Sequence, residues 1–195
     1  MKFILLFIIM NIFIFNQAHA ENKHELPSGN VLIEMKTTRG IIKLELFKQK
    51  EPEIVEFFLK YVNSGFYNNL IFHRIMDGFI IQSGAYNKEF ISKESQLKSQ
   101  LTFKHLNLKN SFATIALILR KDNSAVTSPQ FFINLADNPY LNSLEGNYEY
   151  EVIGKVVSGM DVIDKIARVK VGQREGMYNV PFYPNEALIE EIKQL

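Results

Sequence analysis

Apolar and polar positions alternate twice early in the chain. Val31, Ile33 and Met35 fall on one side of an extended segment, with Glu34 and Lys36 on the other. Ile42, Leu44 and Leu46 repeat the pattern against Lys43 and Glu45. A period of two places successive side chains on opposite faces of a strand, one buried and one wet. Thr38-Arg39-Gly40 stands between the two runs, so residues 31–37 and 41–47 are predicted to form an antiparallel hairpin. The period then changes. Ile54, Val55, Phe58, Tyr61 and Val62 recur at helical spacing behind Pro52, which suits a first helical turn because its missing N–H costs nothing there. Glu51, Glu53 and Glu56 favour the positive end of the helix dipole, and Gly65 marks the stop.

A second pair of short strands is predicted at Leu70–Ile75 and Phe79–Ser83, joined by Met76-Asp77-Gly78. Asp-Gly is a strong turn signal. Alternation puts Phe72 and Arg74 on one side and His73 on the other. Across the turn, Ile80 and Gln82 share a face, with Phe79 and Ile81 opposite. The hairpin can therefore bring Arg74 beside Gln82 over an apolar floor. By itself this surface has two readings: a site for something polar embedded in something apolar, or an ordinary hairpin whose arginine reaches solvent.

Residues 85–110 are polar, rich in lysine and serine, and weakly patterned, which suits a long loop. Further strands are predicted at Ala113–Leu119, Phe131–Leu135 and Val152–Val157. Polar loops lie at 120–129 and 145–149, and Asp137-Asn138-Pro139 reads as a turn. Met160, Ile163, Ile166 and Ala167 give a second short helix within 159–169, and 174–184 is turn-rich. Many short strands separated by turns suggest a sandwich or a barrel. No βαβ alternation and no glycine-rich phosphate loop appear. At 187–195, Leu188, Ile189, Ile192 and Leu195 fit a helix by local spacing.

Composition narrows the function classes. The chain has 195 residues, 47% apolar and 22% charged, with a formal net charge of +1 and scattered lysines. This suits one globular domain and gives no nucleic-acid patch. There is no cysteine, which excludes thiolate chemistry and disulfides, and the histidines at 19, 24, 73 and 105 lack metal-ligand spacing. No metal and no cofactor are expected. Residues 1–20 combine Lys2, an apolar run from Phe3 to Phe15 and the Ala18-His19-Ala20 cleavage pattern. They are expected to be a secretory signal peptide, followed by a polar leader at 21–30 and the domain at 31–195. The run is short for a membrane span of roughly 20 residues; retention as an N-terminal anchor is the alternative. Removal of 1–20 takes away one lysine and no acid and leaves no net charge. The periplasm is the expected location, with secretion as the alternative.

Several segments in order resemble the cyclophilin family of peptidyl-prolyl cis–trans isomerases, most of all its short bacterial exported members. They are Gly65-Phe66-Tyr67, Phe72-His73-Arg74, Gly78-Phe79-Ile80-Ile81-Gln82, Gln130-Phe131-Phe132-Ile133-Asn134, Val157 to Ile166, and Val180-Pro181. The resemblance covers about residues 31–195. It implies a mainly β fold, a closed eight-stranded antiparallel barrel capped by two helices, and a strand rather than a helix at 187–194. It implies that Arg74 is the catalytic arginine and that Phe79, Ile80, Gln82, Phe132 and Leu141 line the substrate groove. Ile80, Phe132 and Leu141 would floor the proline pocket, and Gln82 would orient Arg74. Ile118 stands where the family has a small alanine, Tyr140 where many eukaryotic members carry tryptophan, and Tyr150 where others have a groove histidine. All three are expected at the groove. The implied partners are proline-containing polypeptides, met by a monomer with no nucleic acid and, after signal cleavage, no membrane. A non-catalytic module of this fold that holds proline-containing segments is the alternative function.

Overall fold

The structure, a computed structural model, describes residues 29–94, 108–120, 128–142 and 148–195. The expected signal peptide, nearly all of the leader, half of the 85–110 loop and the bulk of both later loops lie outside the described residues.

The first hairpin forms as patterned. β1 (Val31–Thr37) pairs with β2 (Gly40–Leu46), and Ile33, Met35, Ile42, Leu44 and Leu46 are all fully buried. α1 (Pro52–Asn63) follows, with Pro52 at its start. It buries the predicted stripe and also Phe57 and Leu59, so its apolar face is wider than the spacing indicated. β3 (Leu70–Ile71), β4 (Arg74–Met76) and β5 (Ile80–Ser83) come next, then β6 (Thr114–Arg120), β7 (Phe131–Asn134) and β8 (Tyr148–Ser158). α2 (Met160–Ala167) buries Val162, Ile163, Ile166 and Ala167. A small hairpin, β9 (Val171–Arg174) with β10 (Met177–Pro181), precedes the final strand β11 (Leu188–Gln194).

The main sheet is antiparallel, in the order β3-β11-β1-β2-β8-β6-β7-β5-β4. Its two end strands are consecutive in the chain, separated only by Phe72 and His73. The sheet therefore curls round and its ends meet through the covalent chain, not through a ladder of hydrogen bonds. This gives nine strands where eight were expected, because one strand is broken at Phe72-His73. The break also corrects the facing of Phe72. Its ring is fully buried and stacks edge-on against Phe131, so it shares the interior with Ile75 and not the outer face with Arg74. Inward residues three apart need a step out of alternation, and the broken strand supplies it.

β11 settles the conflict at the C-terminus. It pairs with β1 over Ile33–Thr37 and with β3 at Leu70 and Ile71, and it buries Ile189 and Ile192. Two open sheet edges outweigh local helical spacing, since each edge leaves a row of unpaired backbone groups.

The sheet carries apolar residues on both faces. The inner face holds the large core, including Ile81, Ile115, Leu117, Phe131, Ile133 and Ile153 with the buried faces of α1 and α2. Phe131 is ringed by Phe58, Tyr67 and Phe72, with ring centroids 5.8, 5.3 and 6.2 Å away and near-perpendicular planes. The alternate residues of the same strands, Ile80, Phe132, Ala116, Ile118 and Val152, form a second cluster on the outer face.

Candidate active site

The outer cluster is built by register. Arg74 pairs with Gln82, Gln82 with Phe132, Phe132 with Ala116, and Ala116 with Val152. One row across five strands thus runs from a cation through an amide to an aromatic floor. Beside this row, Ile80 pairs with Asn134. On its other side, Ile118 pairs with Tyr150, and Ile118 N donates to Gln130 O at 2.9 Å. Phe79, Leu141 and Tyr150 are partly buried against the cluster, and the Tyr150 ring meets Phe132 edge-on at 5.5 Å.

The residues expected at the groove therefore come together, with two refinements. Phe79 joins the outer cluster although alternation set it opposite Ile80. Strand β5 starts only at Ile80, so Phe79 belongs to the turn and escapes the strand's period. Tyr140 lies at the rim and not the floor. It is 61% exposed, its ring tilts over Phe79 at 5.7 Å, and its hydroxyl donates to Asn138 Oδ1 at 3.3 Å.

Arg74 is half-buried. Among the described residues it has no carboxylate partner, and its one hydrogen bond is a long one, from Nη1 to Gln82 Oε1 at 3.5 Å. Most of the five guanidinium N–H groups stay available to a ligand. Gln82 in turn donates from Nε2 to Gln130 Oε1 at 2.8 Å. Gln130 is a residue that sequence reasoning quoted without a role. The available signal was its spacing, two before Phe132 and so on the same face. Its approach to β5 depends on Gly84, which has φ +99; a Cβ there would lie 2.6 Å from Pro129 O and 2.8 Å from Gln130 Cα. The same loop is anchored from the core, where the buried Tyr67 hydroxyl donates to Pro129 O at 2.8 Å. Burial, with nearby Tyr61, raises the Tyr67 pKa and keeps that hydroxyl protonated.

His73 faces away from this row, stacked edge-on against Tyr86 at 5.1 Å, with a buried Nδ1 that has no hydrogen-bond partner. Burial pushes its pKa down to about 4; the Arg74 charge adds to the shift, and a backbone hydrogen bond at Ile71 opposes it. The imidazole is therefore neutral at pH 7 and acts as packing. A folded-state pKa below the unfolded value means the unfolded chain binds the extra proton. The stabilisation is then complete above about pH 6.5 and is lost as pH falls toward 4. Urea melts at pH 7.5 and pH 4.5 are expected to show an acid loss larger by about 2–3 kcal/mol in wild type than in His73→Gln. Equal acid losses in the two proteins would remove His73 as the cause.

Comparison with known proteins agrees with this geometry. The family model for cyclophilin-type peptidyl-prolyl cis-trans isomerase matches residues 32–186. A peptidyl-prolyl cis-trans isomerase of Acinetobacter baylyi is 38% identical over 168 residues, 86% of this chain and 88% of that one. Peptidyl-prolyl cis-trans isomerase B of Escherichia coli is 40% identical over 167 residues, 83% of this chain and 98% of that one. A crystal structure of a cyclophilin-type isomerase from Cryptosporidium parvum has the same fold, with a TM-score of 0.62 at 22% identity over 85% of this chain and 98% of that one. A mainly β, two-helix fold with a cation set in register with an aromatic floor, a match along nearly the whole domain and isomerase relatives at this identity lead to one conclusion: the chain belongs to the cyclophilin family of peptidyl-prolyl cis–trans isomerases.

Proposed function

We propose that this isomerase acts on Xaa-Pro bonds in unfolded or loop segments of exported proteins, and that Arg74 is the group that stabilises the twisted amide. The observation that carries the assignment is the register of Arg74, Gln82 and Phe132 on one face, with the guanidinium free of any described carboxylate. Rotation about a peptide bond faces about 18–20 kcal/mol because resonance gives the C–N bond double-bond character. The twisted transition state loses that resonance, and the proline nitrogen becomes pyramidal with a lone pair. A guanidinium N–H directed at that nitrogen binds the twisted amide more strongly than the planar one, which is differential binding. Arginine suits the task because it keeps its proton at any working pH.

Ile80, Phe132 and Leu141 would grip the proline ring by burial while the preceding carbonyl turns. Gln82, itself held by Gln130, would orient Arg74 and meet the substrate backbone. The chemistry requires no nucleophile, no proton transfer and no cofactor. One copy carries the whole groove row, which supports action as a monomer. Export is supported by the charge, apolar run and Ala-x-Ala pattern of residues 1–20.

The test is cis-to-trans conversion of an Ala-Pro peptide followed in real time. Acceleration over the uncatalysed step, which takes on the order of 10–100 s, is expected from wild type. A folded wild type that binds the peptide without speeding conversion would leave only the non-catalytic binding module.

A further inference from the structure

The turn that carries Leu141 lies outside the sheet. A 3-10 turn spans Pro139–Asn142, and its side chains meet the groove without any strand ladder to hold them. Among the described residues, the hydrogen bonds that tie 136–142 to the rest of the chain run mainly through asparagines. Asn110 N and Nδ2 donate to Asn142 Oδ1 at 2.8 and 3.2 Å, and Nδ2 also reaches Leu141 O at 3.3 Å. Asn138 N donates to Asn110 O at 2.8 Å. Outside this set, Phe112 N donates to Asp137 Oδ1 at 2.8 Å.

Asn138 is the joint of the network. It is 3% exposed, and each of its polar groups is engaged. Nδ2 donates to the Phe79 carbonyl at 3.1 Å and to Asn134 Oδ1 at 2.8 Å. Oδ1 accepts from the Tyr140 hydroxyl, and its backbone carbonyl accepts from Leu141 N at 3.0 Å. Asn134 is fully buried and passes the link on to Asn110 Oδ1 at 3.1 Å and Thr114 Oγ1 at 2.9 Å. One carboxamide therefore joins three pieces of chain that carry groove residues: the turn of Phe79, the strand of Phe132 and the turn of Tyr140 and Leu141. Such a network in an apolar setting is rigid when fully satisfied, because any lost bond leaves a buried polar group bare.

We propose that Asn138 is a positioning residue for peptide binding. Its amide ties the turn of Leu141 to the Phe79 carbonyl and so holds Leu141 over the floor that grips a proline ring, while Arg74, on β4 at the other end of the row, is left in place. The inference rests on the isomerase reading above, and it assigns affinity to Asn138 and turnover to Arg74. Its signature is a change in Kd and KM with kcat preserved.

The experiment measures Kd for an Ala-Pro peptide by titration, and kcat and KM by isomerisation, in Asn138→Ala, Leu141→Ala and the double variant, with thermal melts to establish folding. Asn138→Ala is expected to raise Kd and KM about ten-fold and to hold kcat within about two-fold. In the Leu141→Ala background the same change is expected to add less than about two-fold, since two residues that act through one contact are not additive. If Asn138→Ala does not fold, Asn142→Ala cuts the same turn from Asn110 at a partly exposed position and is read the same way. A folded variant with unchanged Kd, or effects that simply multiply in the double variant, would overturn the proposal. Kd is read without turnover, so absence of isomerisation in wild type would sink the catalytic reading and still leave this one decided.

Discussion

Arg74→Ala is expected to lower kcat/KM on an Xaa-Pro peptide by about 10²–10³-fold, the usual loss when one donor to a developing charge or lone pair is removed. Most of the loss should fall on kcat, because in the proposed mechanism the guanidinium gains its partner only as the amide twists, while the apolar floor would grip the planar substrate equally well in the variant. Stability should hardly change. Arg74 is half-buried, lacks a described carboxylate and makes one hydrogen bond at 3.5 Å, so little folded-state energy depends on it. Arg74→Lys should fall between the two, since a lysine keeps the charge but replaces a rigid fork with a mobile point donor. A folded Arg74→Ala protein with wild-type turnover would end the proposed mechanism.

The second large effect separates two neighbouring phenylalanines. Phe131→Ala is expected to destabilise the fold by about 3–5 kcal/mol, as a fully buried aromatic ringed by three others leaves a cavity that its surroundings cannot fill. For a domain of this size that means a fall in Tm of about 10 °C or more. The activity of the folded fraction should stay within about three-fold, because the ring points away from the groove. Phe132→Ala should do the reverse. Its gap opens toward partly exposed Phe79, Leu141 and Tyr150, where neighbours and water can compensate, but peptide affinity should drop about ten-fold or more. Paired thermal melts and isomerisation kinetics on both variants check this. If the two substitutions moved stability and activity in parallel, the division of β7 into a structural face and a binding face would be wrong.

That division was partly legible in the sequence. A strand's period of two implies two faces along 115–119 and 131–133, but every residue in these runs is apolar, so alternation alone did not say which face was the interior. The Arg74–Gln82 pair was legible because Asp77-Gly78 fixes the turn and a turn fixes register. The break at Phe72-His73 was not, because nothing in the local residue types interrupts a strand there; closure of the sheet demands it. The β9–β10 hairpin was missed for a different reason. Its two-residue turn is Glu175-Gly176, with φ of +49 and +81. That conformation normally announces itself as Asn-Gly or Asp-Gly. The asparagine joint was hidden because Asp137-Asn138-Pro139 reads as an ordinary surface turn. Asn134, a lone polar side chain at the end of an apolar strand, was the one mark that the region is buried.

The position of β11 between β1 and β3 bears on how the chain comes together in time. During synthesis the two strands it joins are made early, and they wait for residues 188–194 through nearly the whole length of the domain. Until those residues arrive, two edges stand open and the sheet cannot curl into its final shape. Pairing over such sequence separation meets its loop-closure cost before any contact repays it, which makes the closing of the sheet the slow step of folding.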